Sequence, residues 1–506
     1  MGLRDYLKRN YNLWIIVFLL GLVSHGSMLL SKSIGIDTED IITLQDLFYG
    51  GWLETGRQGL VLLKIIFGTQ VFNPYFSGAA TLVFMTLACV LWTYLFSYIS
   101  GKEHKVANMS FSAILLFSPL ITEQFYFKLQ SMEITLGFCL MAVSLLLLYQ
   151  MIEVNKYRSK VLCFIGAILL NVLLFSLYQV MVPLFIFGAG VCFGLHYFFS
   201  TKENEDWKDF GRFIGIYILV FLVSFVANQI ITSAFFSGSD YLTSQIRWFS
   251  QSFKDCLINI YWHVRDVMLG KSLYYAKTFI LYCVLFIVLG VLNILGSKNK
   301  KAKILGVFSI LLILSSPFYM TLICGNAPVV RSQLVLPFTL AFLVYVLFLF
   351  VRDKRNVTIA LLALCILTGY TQLRYTMQLN YTDSVRYESD VRIASSIMEE
   401  INQLENETYS YPVVFIGKHS AELNNSCIKG DTIGYSFFEW DTDVEPYSFF
   451  STRRILGFMH TLGGNYIQGN VEQFTMAREH SKSMNNWPMQ GSIELHDGVV
   501  IVKLSD

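Results

Sequence analysis

Residues 13–30 read LWIIVFLLGLVSHGSMLL, eighteen consecutive positions without an Asp, Glu, Lys or Arg. A helix needs about 20 mostly apolar residues to cross the hydrocarbon core of a bilayer. The run follows a basic start of Arg4, Lys8 and Arg9, and no small-residue cleavage site comes after it. It is therefore expected to remain as an anchor rather than be removed as a signal peptide. Ten further apolar runs lie at about 75–99, 106–120, 132–152, 161–177, 179–199, 211–235, 277–296, 303–322, 334–351 and 357–376. Composition agrees. Charged residues make up 15% of the 506, the AVILMFWYC group 54% and aromatics 15%, and the mean hydropathy is +0.51. An average soluble protein carries roughly 25% charged residues, and so few charges cannot cover so much apolar surface in water. The expected fold class is a polytopic α-helical membrane protein with about eleven spans.

The net charge of +2 hides a division. Residues 1–379 carry 29 basic and 18 acidic side chains, and residues 380–506 carry 9 and 18. Many of the basic residues sit in alternate connectors: Lys102 and Lys105; Lys156, Arg158 and Lys160; Lys202, Lys208 and Arg212; Lys298, Lys300, Lys301 and Lys303; Arg352, Lys354 and Arg355. With eleven spans all of them share one side with the N-terminus, which the positive-inside rule makes cytoplasmic. The long segments at about 31–73, 121–131, 236–276 and beyond 377 then lie outside, and chemistry is expected there. Nothing in this balance suggests a nucleic-acid partner. The nine cysteines show neither a CxxC pair nor a metal spacing and read as small buried hydrophobes.

From about 380 the chain turns polar. Val391, Ala394, Ile397, Ile401 and Leu404 recur at helical spacing within 384–405, so an amphipathic helix is expected. Tyr411-Pro-Val-Val-Phe-Ile-Gly417 reads as a buried strand, and SIEL and VVIVKL around His496-Asp497-Gly498 as a hairpin. Residues 380–506 are thus expected to form a small extracytoplasmic α/β accessory domain beside a transmembrane domain of 1–379. No glycine-rich turn suggests a nucleotide site.

The first external loop is the most informative. Asp37, Glu39 and Asp40 crowd just beyond the first span. A carboxylate beside lipid is costly unless paired or used, and two close carboxylates can split in pKa so that one stays ionised and acts as base. The bland alternative is a solvated acidic loop. Ile41, Leu44, Leu47, Phe48 and Trp52 recur at roughly helical spacing and suggest an interfacial helix with that face toward lipid.

An acidic pair right after the first span resembles the GT-C superfamily of glycosyltransferases. Ile36-Asp37-Thr38-Glu39 followed by Gly56-Arg57 is more narrowly similar to the bacterial serotype-converting glucosyltransferase (Gtr-type) membrane family. Tyr387-Glu388-Ser389-Asp390 and Val413-Val414-Phe415-Ile416-Gly417-Lys418 are similar to that family's ending. Thr38 stands where the family pattern has a second aspartate, so either Glu39 or Asp40 completes the pair.

The resemblance implies a GT-C-like fold and a sugar, commonly glucose, carried on undecaprenyl phosphate. It also implies transfer to a surface glycan with inversion, at the outer face of the bacterial cytoplasmic membrane. Asp37 would be the base, with Glu39 or Asp40 orienting it or the acceptor. Candidates for the leaving phosphate are Arg57, Arg331 in the Pro-bearing loop before the tenth span, and Arg374, since guanidinium binds phosphate bidentately. Each also suits simple snorkelling to headgroups. Glu123, Tyr126 and Lys128 in the second external loop are donor-groove candidates or a plain surface turn. His263, Arg265 and their aromatic neighbours Tyr261 and Trp262 read as an interface belt, although aromatic faces equally suit sugar rings. Arginines can handle a monophosphate, so no metal or other cofactor is expected. Competing readings are a lipid-linked sugar or polysaccharide transporter, and a polysaccharide polymerase or ligase. The sugar, and an acceptor such as O-antigen or teichoic acid, stay open.

Overall fold

Backbone polar groups in lipid have to be satisfied within their own segment, so long apolar runs become helices. In the computed structural model the described residues are 2–153, 156–199, 207–236, 245–296, 300–351, 354–404, 411–440 and 450–506. Lys202, Lys298, Arg352 and Glu405, and the side chains of Leu47, Lys208, Lys300 and Lys301, lie outside them.

The membrane part contains α1 (Leu3–Arg9), α2 (Tyr11–Leu29), α3 (Thr38–Thr43), α4 (Gln45–Glu54), α5 (Gln58–Phe67) and α6 (Pro74–Ser100). It continues with α7 (Lys105–Leu116), α8 (Pro119–Tyr126), α9 (Lys128–Glu153), α10 (Tyr157–Phe175), α11 (Met181–Phe199) and α12 (Trp207–Phe235). Then come α13 (Phe253–Leu269), α14 (Phe279–Gly296), α15 (Lys300–Ser315), α16 (Tyr319–Cys324), α17 (Val335–Phe350) and α18 (Arg355–Leu404).

Among the described residues nine helices are long and apolar enough to cross a membrane, against the eleven expected. The two exceptions have physical causes. The third expected span is the pair α7 and α8, bent by 51° where Pro119 ends one helix and starts the next. The tenth, α17, has only 16 residues, and Val335 to Leu349 are all buried. It is a central post packed by Trp92, Phe96 and Phe138 rather than a lipid-facing helix. By contrast, the apolar windows of α10 and α12 are each only 22% buried, as helices solvated by lipid would be.

The two ends of the bundle differ. At one end Asn10 donates to Glu103, the Lys102 ammonium lies over Phe199, and His104 stacks on Phe348. The N-terminus and several basic connectors therefore gather there. At the other end lie α3, α4, the 326–333 loop and the C-terminal unit.

That unit contains β1 (Pro412–Ile416), α19 (Phe450–Thr461), β2 (Ile467–Gln468), α20 (Val471–His480), β3 (Ile493–His496) and β4 (Val499–Lys503). The sheet order is β2-β1-β4-β3, with β1 parallel to β2 and β4, and β3–β4 an antiparallel hairpin. The expected helix, strand and hairpin are all present. The boundary expected at 379/380 has no break, because α18 runs 50 residues through it. Its far half buries Ala394, Ile397 and Ile401 against Val413, Phe415, Phe458 and Val500. One helix thus joins the membrane bundle to the C-terminal core.

Candidate active site

The loop that carries the acids is fixed from behind. Ser33 Oγ donates to Asp383 at 2.7 Å, and the buried Arg386 donates to the Ile34 carbonyl at 2.9 Å. The Tyr126 hydroxyl accepts from the Ile36 N–H at 3.3 Å. A Cβ on Gly35 would sit 2.5 Å from the Tyr126 ring, so only glycine lets the loop lie there. The next turn places Asp37 in the left-handed region, at φ 71°, just before α3. That conformation is uncommon for a residue with a side chain, although Asp tolerates it better than most.

Three carboxyls result, in three environments. Asp37 is about one-third exposed, Asp40 is 9% exposed and Glu39 is fully buried. Arg454 of α19 donates to Asp37 at 3.1 Å and to Glu39 at 3.0 Å, and Arg453 donates to Asp40 at 3.0 Å. Gly457 lies where α19 meets α3. A Cβ there would meet the Glu39 side chain at 3.1 Å, so α19 rests directly on α3 one turn beyond its arginines. Burial pushes the Glu39 carboxyl up to about 8, against the opposing pull of Arg454, while the neighbouring Asp37 and Asp40 push it further up.

Asp37 and Asp40 open onto a cavity of about 270 Å³. Arg57, Arg331 and Arg453 line it as well, with Trp52, Phe127 and Gln130 among its walls. Arg57 donates to Gln130 at 3.4 Å and lies over the Tyr178 ring at 5.0 Å, and Arg331 lies over Phe127 at 4.6 Å. Stretches around 37–57, 127–130, 331 and 453 are thereby brought to one place, acids on one side and guanidinium groups around them.

Several expected residues lie elsewhere. Arg374 lines a separate cavity with Tyr370, Met377 and Tyr381. Glu123, Tyr126 and Lys128, expected at the donor groove, do not line the acid cavity and instead hold its walls. Glu123 is buried and accepts from the Tyr274 hydroxyl and from the Asp431 N–H at 2.8 Å, which ties the C-terminal unit to α8. The Lys128 ammonium donates to the Ser31 and Ser33 carbonyls at 2.9 and 2.8 Å. The face of 41–53 expected to meet lipid is divided, with Leu44 exposed and its ends Ile41 and Trp52 turned inward. Ile41 and Trp52 are buried in the bundle, while Leu44, Phe48 and Trp52 line the cavity. On α13, Tyr261 and Trp262 are exposed, as the belt reading expects, but His263 is buried between Thr321, Tyr275 and Gln333. Among the described residues no group of three or more His, Cys, Asp or Glu side chains is arranged to hold a metal ion.

Sequence reasoning missed Arg453 and Arg454. The available signal was an Arg-Arg pair in the otherwise acidic tail.

Fold and family together define the class as a membrane glycosyltransferase. The chain belongs to the family described as Glucosyl transferase GtrII, whose model matches residues 26–350, in agreement with the resemblance drawn from the acidic loop. The matched region contains Asp37, Glu39, Asp40, Arg57 and Arg331, and it ends before α19. No curated protein and no solved structure matches the chain.

Proposed function

We propose that this chain transfers a hexose, such as glucose or N-acetylglucosamine, from undecaprenyl phosphate to a cell-surface glycan at the outer face of the bacterial cytoplasmic membrane. The observation that carries the reading is the shared cavity. Two carboxylates and two family-region arginines, Asp37, Asp40, Arg57 and Arg331, line it at the end of the bundle away from the basic connectors. The positive-inside rule supports making that end the outer one.

The reaction is a single displacement in a GT-C-like site. Asp37 takes the proton of the acceptor hydroxyl as its oxygen bonds to the anomeric carbon. The bond from that carbon to the phosphate oxygen breaks, and its electron pair leaves with undecaprenyl phosphate. Attack opposite the leaving group inverts the anomeric centre. Arg57 and Arg331 balance the charge that grows on the phosphate, as charge-assisted hydrogen bonds to phosphate do. Asp40 orients the acceptor, and Glu39 supports the loop from the protein side. No metal is called for in this scheme. General-base help of this type contributes roughly 10²–10⁴-fold.

The test supplies purified full-length protein with undecaprenyl-phosphate-linked glucose and candidate glycans and follows the product glycan by mass spectrometry. Wild type is expected to form product and Asp37→Asn almost none. A folded Asp37→Asn protein that transfers at the wild-type rate removes Asp37 as base. Labelling of Asn425→Cys but not Lys300→Cys from outside intact cells checks the orientation, and the reverse pattern would overturn it.

A further inference from the structure

We infer that α19 of the C-terminal unit completes the active site, with Arg454 acting as a positioning residue that holds Asp37 against Glu39 in its productive direction. The inference rests on the reading of Asp37 as base and extends it to a part of the chain beyond the family-matched region.

Three observations carry it. One guanidinium group reaches both Asp37 at 3.1 Å and Glu39 at 3.0 Å, so the exposed acid is tied to a fully buried one. The neighbouring Arg453 bonds Asp40 at 3.0 Å and itself lines the cavity. Gly457 marks a close contact of α19 with Glu39, where a Cβ would lie 3.1 Å from the Glu39 side chain. A loop holding Asp37 in a left-handed conformation needs such outside support. Arg454 does not line the cavity and acts through Asp37, whose carboxylate it bonds. It sets where the Asp37 carboxylate points and keeps a cation beside it.

The charged and titratable groups facing Asp37 are few enough to name. Glu39 and Asp40 come from α3, and Arg453 and Arg454 from α19. Arg57 and Arg331 share the cavity, while Lys128, Asp383, Arg386 and Tyr126 hold the loop behind it. Removing Arg454 takes the cation from beside both acids, and the loss of an opposite charge favours a carboxyl's protonated form.

The experiment compares wild type, Arg454→Gln, Arg454→Lys and Asp37→Asn in the full chain, each checked as monodisperse in detergent. The exposed-pair variant Arg392→Ala serves as the control. Kcat and KM for undecaprenyl-phosphate-linked glucose are measured from pH 5 to pH 9. Arg454→Gln is expected to lower kcat on the order of 10²-fold, the loss that a misplaced catalytic group produces. Its donor KM should change little, and the acidic limb of its kcat profile should move to higher pH. Arg454→Lys, with charge but no fork, should move that limb back and recover part of kcat. If Arg454→Gln is poorly folded, the limb is read from the folded fraction, since loss of folded protein lowers amplitude without moving it. An Arg454→Gln profile that superimposes on wild type, with Asp37→Asn inactive, overturns the inference and leaves the proposed reaction standing. An active Asp37→Asn protein overturns the reaction itself.

Discussion

The ammonium of Lys128 lies 2.8 Å from the carbonyl oxygen of Ser33, and the side chain is 2% exposed. A lysine at the start of α9 thus holds the loop that ends in Asp37. The same ammonium also bonds the Ser31 carbonyl and hydroxyl. Replacing Lys128 by Met keeps most of its length but leaves two carbonyls without their donor. Each unsatisfied buried group costs about 1–3 kcal/mol, so Lys128→Met should be destabilised by at least about 2 kcal/mol. Thermal unfolding in detergent checks this. A change below about 1 kcal/mol would show that water replaces the ammonium there.

Arg57 and Arg331 should behave differently from Lys128. Both line the cavity, and both rest on aromatic faces that hold them in place, Tyr178 and Phe127. Arg57→Ala and Arg331→Ala are each expected to weaken donor binding by about 10–100-fold, the worth of one charge-assisted bond. Stability should change little, because neither side chain is fully buried. Lysine at either position should restore less than half of the loss in binding free energy, since an ammonium lacks the planar fork. Binding of undecaprenyl phosphate, measured by calorimetry in detergent, checks both.

The residues themselves explain what could be read from sequence. The spans were legible because lipid imposes one rule on every apolar run, and that rule needs no knowledge of neighbours. The length of α17 fell short of it because protein, not lipid, surrounds that helix. Asp37, Asp40, Arg57 and Arg331 were legible as candidates because a charge beside a span is rarely idle. Arg453 and Arg454 were not, because their meaning depends on α19 docking across more than 400 positions of sequence separation. Glu123 and Lys128, read as donor-groove candidates or a surface turn, are buried and bonded to Tyr274 and to loop carbonyls. A buried charge looks the same in sequence whether it meets a ligand or a backbone carbonyl. The inward turn of Ile41 and Trp52 has the same origin, since a stripe that could meet lipid can equally meet a bundle.

Glu39 gives a pH signature. Its carboxyl is pushed up to about 8, above the ordinary carboxylate range, because burial outweighs the attraction of Arg454. The folded chain therefore binds a proton that the unfolded chain has released. Stability from this group is fully present below its unfolded value and is lost as pH rises toward and through 8. Glu39→Gln mimics the protonated acid and keeps an oxygen for Arg454. The variant and wild type should unfold together near pH 5, and the variant should become the more stable as pH rises to 9. A wild type that gains on the variant across this window would mean that Glu39 is ionised when folded.

The largest single destabilisation should come from Arg386. It is fully buried in α18 and donates to Asp383, to Asp390 at 3.3 Å and to the Ile34 carbonyl at 2.9 Å. Asp390 in turn accepts from the Ser436 hydroxyl and the Phe437 N–H, and Asp383 from the Ser33 hydroxyl. One guanidinium group thus fastens the acidic loop, the long helix and the C-terminal unit at the point where they meet. Arg386→Met keeps the bulk but strands two buried carboxylates, and breaking such a pair costs about 3–5 kcal/mol. The triple variant Arg386→Met, Asp383→Asn, Asp390→Asn removes the stranded charges and should recover much of that loss. It should not recover transferase activity, because the Ile34 carbonyl, three residues before Asp37, still lacks its donor. Thermal unfolding and product formation measured on the same preparations separate the two effects. If the triple variant regained full activity along with its stability, the cation would be needed only to neutralise the helix, and its hold on the acidic loop would be without consequence.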